Sequence, residues 1–169
     1  MFLLDMLNLA AVIRNNDKKI SNGGIKVSKI RILEFQLFDL MEDDGSRQGY
    51  LDLRTGEIFY YSEFVHTSKE IDEIMRPVEE DPKRYVGIRS IGSRNNFRIM
   101  ERFLGTLPES ENKRRLDEAL LRRRPFRNFK DELYHMGEIQ DQWYKFHEEE
   151  IRKVALEWLE EEGVDAELV

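Results

Sequence analysis

The chain has 169 residues, of which 40% are hydrophobic and 36% charged, with a net charge of −7 and no cysteine. That apolar content suffices for a packed core beneath a heavily charged surface, and the length fits one domain or one domain with an arm. The lack of cysteine excludes disulfides and thiolate metal sites and fits a reducing compartment, so a cytoplasmic protein is expected. The small net charge hides strong segregation. Residues 39–81 carry 13 acids and 4 bases, residues 82–131 carry 14 bases and 6 acids, and residues 147–169 carry 9 acids and 2 bases. Such blocks either neutralise one another in the fold or leave the basic middle to meet an external anion.

Taken in chain order, residues 2–13 are almost wholly apolar and predict a short helix that cannot face water alone. Asp5 and Asn8 interrupt the run, no basic segment precedes it, and it falls short of the ~20 apolar residues a membrane span needs. Neither a signal peptide nor a membrane segment is therefore expected. Asn15 to Lys19 and Ser21-Asn22-Gly23-Gly24 read as a linker. Residues 1–27 thus form an expected arm, which docks on the body or on a second copy to give a homo-oligomer, or else is an unstructured leader. Residues 28–169 are expected to form a single α+β domain.

Ser28 is positioned to cap a helix running to about Met41, with Ile30, Leu33, Leu37, Leu40 and Met41 as its apolar stripe. Glu42-Asp43-Asp44-Gly45-Ser46 ends it, and those acids are expected to be solvated or met by bases of the middle block. The run lacks the spaced oxygen ligands and distal Glu of an EF-hand. Tyr50-Leu51-Asp52-Leu53 and Ile58-Phe59-Tyr60-Tyr61 flank a turn at Gly56 and predict a β-hairpin. Glu79-Glu80-Asp81-Pro82 predicts a turn, and residues 84–88 a third strand. Helices are expected from Ser93 to Leu107, from Ser110 to Arg123, from Pro125 through Leu133, and from Glu138 to Glu162, the last stopped by Gly163. The predicted architecture is a small antiparallel sheet, a hairpin plus a third strand, covered by a bundle of about five helices.

These segments together resemble a bacterial uncharacterised protein family, UPF0158. The likeness rests on Tyr50-Leu51-Asp52-Leu53 with Thr55-Gly56-Glu57, and on Asp81-Pro82 followed by Arg84-Tyr85. It rests also on residues 123–133, on Trp143-Tyr144-Lys145-Phe146 and on Ala155-Leu156-Glu157-Trp158-Leu159. It spans roughly residues 34–165. The resemblance implies a bacterial, single-domain protein and brings no activity or catalytic residue with it.

Two constellations stand out for function. Arg94, Arg98 and Arg102 follow one another at i, i+4 and i+8, placing three like charges on one helical face. Such repulsion costs a few tenths of a kcal/mol per pair in an isolated helix. Glu101 cannot offset all three, so this stripe, with Arg89, is the expected site for an anion or an acidic partner. The competing expectation is neutralisation by an acidic surface of the same protein, such as Asp43-Asp44 or Glu79-Glu80-Asp81. The following helix carries opposite-charge pairs Glu111–Arg115, Arg114–Glu118 and Glu118–Arg122, and so satisfies itself.

The second constellation lies on the last helix. There Ile139, Trp143, Phe146, His147, Ile151, Val154 and Trp158 form an apolar arc with Glu150 inside it. A carboxylate in that arc must be paired or protonated. The expected partner is an arginine of the 122–127 cluster, such as Arg123 or Arg127; the functional alternative makes His147 and Glu150 an acid/base pair. No nucleophile motif, phosphate loop or metal cluster accompanies them, so no cofactor or metal is expected. Phe126, Phe129 and Leu133 recur at core spacing, which favours burial over base stacking. The leading expectation is a non-catalytic interaction module that binds a protein partner or itself. The alternative is a nucleic-acid-binding protein using the basic face, and an enzyme comes third.

Overall fold

The computed structural model describes residues 29–169. The expected arm, the glycine linker and the Ser28 cap lie outside the described residues. Instead of one helix through residue 41, Ile30–Ile32 forms a strand, β1, and helix α1 begins only at Glu34 and runs to Met41. The reason is local alternation: Ile30 and Ile32 flank Arg31 with period two, and the segment finds a strand to pair with. That partner is β5, Ala166–Leu168, which aligns in parallel with β1, Ile30 opposite Ala166 and Ile32 opposite Leu168. The ends of the described chain are thereby joined.

The predicted hairpin is present as β2 (Gln48–Asp52) and β3 (Ile58–Tyr61), and β4 (Tyr85–Ile88) pairs antiparallel with the other edge of β2. Leu51 lies opposite both Ile58 and Val86, so these side chains share one face of the sheet and join the core. The other face carries an aromatic row, with Tyr50 stacked on Phe59 at 5.7 Å and Phe59 edge-on to Tyr85 at 5.6 Å. Helix α1 seats closely on β2: a Cβ at Gly49 would stand 2.6 Å from Leu40 Cδ1. At the hairpin turn Gly56 has φ +77°, and its α-carbon faces the backbone of β1 so closely that an added Cβ would lie 2.2 Å from the Arg31 carbonyl oxygen.

A helix with no counterpart among the expected elements, α2 (Ser68–Glu80), follows β3 and absorbs the first half of the expected turn at residues 79–82. A capping box starts it. The Thr67 hydroxyl accepts from the Glu70 amide at 3.4 Å, and the Glu70 carboxylate accepts from the Thr67 amide at 2.8 Å. Its apolar residues Ile71, Ile74, Met75 and Val78 are half-buried.

The remaining helices match expectation closely: α3 (Gly92–Thr106), α4 (Glu111–Leu121), α5 (Pro125–Leu133) and α6 (Glu138–Glu161). Ser110 caps α4 by accepting from the Lys113 amide. Ser93 does not cap α3; the Ser90 hydroxyl accepts from the Gly92 amide just ahead of it. These helices meet in an aromatic cluster centred on Phe103, with Trp143 at 5.2 Å, Phe146 at 5.5 Å and Phe129 at 6.5 Å. Trp143 and Trp158 are both buried, as the apolar arc of the last helix requires. The fold is α+β.

Candidate interaction surface

Charge pairing inside the fold decides which cations remain uncompensated among the described residues. Arg84 engages the buried Asp52 with Nε at 3.0 Å from both carboxylate oxygens and Nη2 at 2.5 Å from Oδ2. Asp52 also accepts from the Arg54 amide at 2.8 Å, which closes the hairpin turn. Burial alone would raise the Asp52 carboxyl, but the Arg84 guanidinium and the Arg54 amide override it and hold the group below its usual range. One ion pair thus locks together two of the sequence segments that carry the family likeness.

Asp39 and Asp43, at the end of α1, find a partner in the loop that follows rather than in the basic middle block. Arg47 reaches Asp43 through Nε and Asp39 through Nη1, each at 2.6 Å. The middle block contributes only the Ser90 hydroxyl, which donates to the Asp43 carbonyl oxygen. On α4, Arg115 turns to Glu132 of α5 at 2.6 Å instead of to Glu111, which pairs with Arg114.

Of the four arginines expected to bind an anion, two are occupied. Arg102 pairs with Glu150, and Arg89 Nη2 lies 2.5 Å from Glu161. Both carboxylates come from the acidic C-terminal block, not from Asp43-Asp44 or Glu79-Glu80-Asp81. Arg94 and Arg98 are exposed and have no carboxylate within ion-pairing distance among the described residues. They border a shallow open groove between α3 and α5, lined by Ser93, Arg94, Phe97, Arg98, Glu101 and Phe126. Phe97 and Phe126 are half-buried and meet edge-to-face at 6.4 Å.

Where α5 begins, Arg123 and Arg124 are exposed and likewise lack an ion-pair partner among the described residues. Arg124 has φ +66° and ψ +57°, the left-handed region that a non-glycine residue occupies at a cost of about 1–2 kcal/mol. Asn128 holds this turn: its side-chain amide donates to the Arg123 carbonyl at 2.9 Å and its backbone amide to the Arg124 carbonyl at 3.1 Å.

The second expected constellation does not assemble as a unit. Glu150 is buried, but its partners are Arg102 and Lys153, the latter at 2.6 Å, rather than Arg123 or Arg127. Arg127 sits 3.7 Å from Asp131 on its own helix. His147 Nε2 lies 3.0 Å from Glu42 Oε1, with its ring 4.8 Å from Trp143. Lys153, against the opposing effect of burial, and Arg102 together hold the Glu150 carboxyl below its ordinary range. At neutral pH Glu150 is therefore a weakly basic, charge-compensated carboxylate, poorly suited to accept a proton. Among the described residues no three His, Asp or Glu side chains are grouped to hold a metal ion, and no helix is long and apolar enough to cross a membrane.

Comparison with known proteins returns the family that the sequence resembles. Residues 28–167 match the profile of the family described as "Uncharacterised protein family (UPF0158)". A similar protein, the UPF0158 protein PA5073 of Pseudomonas aeruginosa, is 30% identical over 115 residues, covering 68% of this chain and 72% of that protein. A UPF0158 protein of Chlamydia trachomatis is 28% identical over 119 residues, covering 70% of this chain but only 36% of that longer protein. No solved structure matches. With the profile match spanning nearly the whole described chain, and the Asp52–Arg84 pair joining two of its segments, the protein belongs to the UPF0158 family.

Proposed function

We propose that this protein is a non-catalytic binding module of the cytoplasm, and that the α3–α5 groove is its contact surface for a protein partner. The observation that carries the reading is the contrast along one helical face. Arg102 is met by a carboxylate of the same chain, while Arg98 and Arg94, one and two turns earlier, are left beside a half-buried aromatic pair. Exposed like charges without compensation, next to apolar surface, provide both charge selectivity and an apolar anchor for a partner.

A photo-crosslinking side chain placed at Glu101, inside the groove, tests this against the same side chain at Lys145 on α6. A protein captured from position 101 alone is then purified and titrated against the wild type and Arg94→Glu/Arg98→Glu. Binding that weakens strongly in the double variant supports the proposal. Equal capture from both positions, or affinity indifferent to the double charge reversal, rejects it.

A further inference from the structure

We infer that the occupant of the α3–α5 groove is an acidic amphipathic protein segment: an apolar stripe flanked by carboxylates, seated on Phe97 and Phe126. This rests on the reading of the groove as a contact surface and adds the chemistry of what enters it. Arg94 and Arg98 stand one helical turn apart, about 6 Å between their β-carbons. That spacing matches carboxylates four residues apart on a partner helix, the geometry of helix-in-groove recognition. Arg123 and Arg124, exposed and just ahead of Phe126 in the chain, add positive charge at the leading edge of α5. The left-handed turn at Arg124, pinned by Asn128, fixes the direction in which that edge leaves the helix.

Three observations favour a peptide over a nucleic-acid strand. First, Glu101 lines the groove one turn beyond Arg98 and has no ion-pair partner among the described residues. A phosphodiester chain carries a charge at every step and would meet this carboxylate, whereas a peptide can place a neutral or basic residue there. Second, the two rings are turned edge-to-face on each other and half-buried, while base stacking requires open ring faces. Third, the chain as a whole carries −7, a field that opposes the approach of a long polyanion but tolerates a short mixed-charge segment.

The experiment uses the full chain and synthetic probes. Fluorescence anisotropy follows a helical peptide of about fifteen residues with leucines at i, i+3 and i+7 and glutamates on both flanks. Control probes carry Gln for Glu, Ser for Leu, or Lys for Glu, and an oligothymidylate of about twelve nucleotides stands for a nucleic acid. The expected result is binding of the Glu/Leu peptide that weakens at least about tenfold in Arg94→Glu/Arg98→Glu, and that falls as salt rises past about 0.15 M. The Gln and Ser peptides bind weakly, and the Lys peptide prefers the charge-reversed variant. Binding of oligothymidylate that depends on Arg94 and Arg98, with the peptides inert, overturns the inferred occupant and leaves the groove standing. Failure of the double variant to change binding of any probe overturns both the occupant and the contact surface.

Discussion

Replacing Asp52 with Asn isolates the ion pair at the base of the hairpin. Asparagine has nearly the same shape and keeps an oxygen for the Arg54 amide at the turn, so the change chiefly removes the negative charge facing Arg84. The Asp52 side chain is only 5% exposed. A hydrogen bond to a charged group contributes about 1.5–3 kcal/mol, and with the amide contact retained the expected loss at neutral pH is about 1.5–2.5 kcal/mol. The pH dependence follows from the direction of the Asp52 shift. Its carboxyl is depressed in the folded chain, so its stabilising contribution is complete above the unfolded value of about 3.9. It fades as pH falls through the folded value, where the native carboxylate takes up its proton. Urea unfolding of wild type and Asp52→Asn should therefore differ by the full amount at pH about 7, with the two curves converging on the acid side of about pH 3.9. Equal stability at neutral pH would show that Arg84 gives Asp52 no net stabilisation. A gap that stays constant into acid would show that the loss comes from something other than the charge.

Two other substitutions probe packing. Gly56→Ala places a methyl group 2.2 Å from the Arg31 carbonyl oxygen and forces an L side chain into φ +77°, so a loss of about 2 kcal/mol or more is expected from denaturant unfolding. A loss under about 0.5 kcal/mol would mean that β1 is not held against the hairpin turn. Trp143→Ala empties the space between Phe103 and Phe129 and is expected to cost about 3–5 kcal/mol, read from the shift in the urea midpoint. A cost near that of a surface change would remove the tryptophan from the core.

Much of this fold was legible locally because its signals are local. The hairpin declares itself through alternation on both sides of Gly56, and the last four helices through their periodicity and through Ser110 and Pro125 at their starts. Helix α2, absent from the expected elements, carries local signals as well: Thr67 and Glu70 stand at capping-box spacing, and Ile71, Ile74, Met75 and Val78 follow at i, i+3, i+4 and i+7. The two terminal strands could not be read in the same way. Each has three residues, and their pairing joins Ile30 to Ala166, a contact that no sequence window contains.

The candidate surface divides along the same line. Helical spacing alone revealed the Arg94–Arg98–Arg102 stripe. That Arg102 is neutralised and its two neighbours are not depends on Glu150, which only the packing of α6 beside α3 brings within reach. Phe126 shares a period with Phe129 and Leu133 and, as that spacing implies, packs against the core, though only partly buried. It lies at the start of α5, where that buried row runs out to the surface.

The strand pair that joins Ile30–Ile32 to Ala166–Leu168 has a mechanical consequence. The two strands run in the same direction, so tethers attached ahead of Lys29 and beyond Val169 would pull them in opposite senses along their length. The bonds from Ile30 to Asp165, from Val169 to Ile32 and from Glu34 to Val169 would then be loaded together in shear rather than unzipped one at a time. Tension applied at these two points loads the strand pair before the helices behind it.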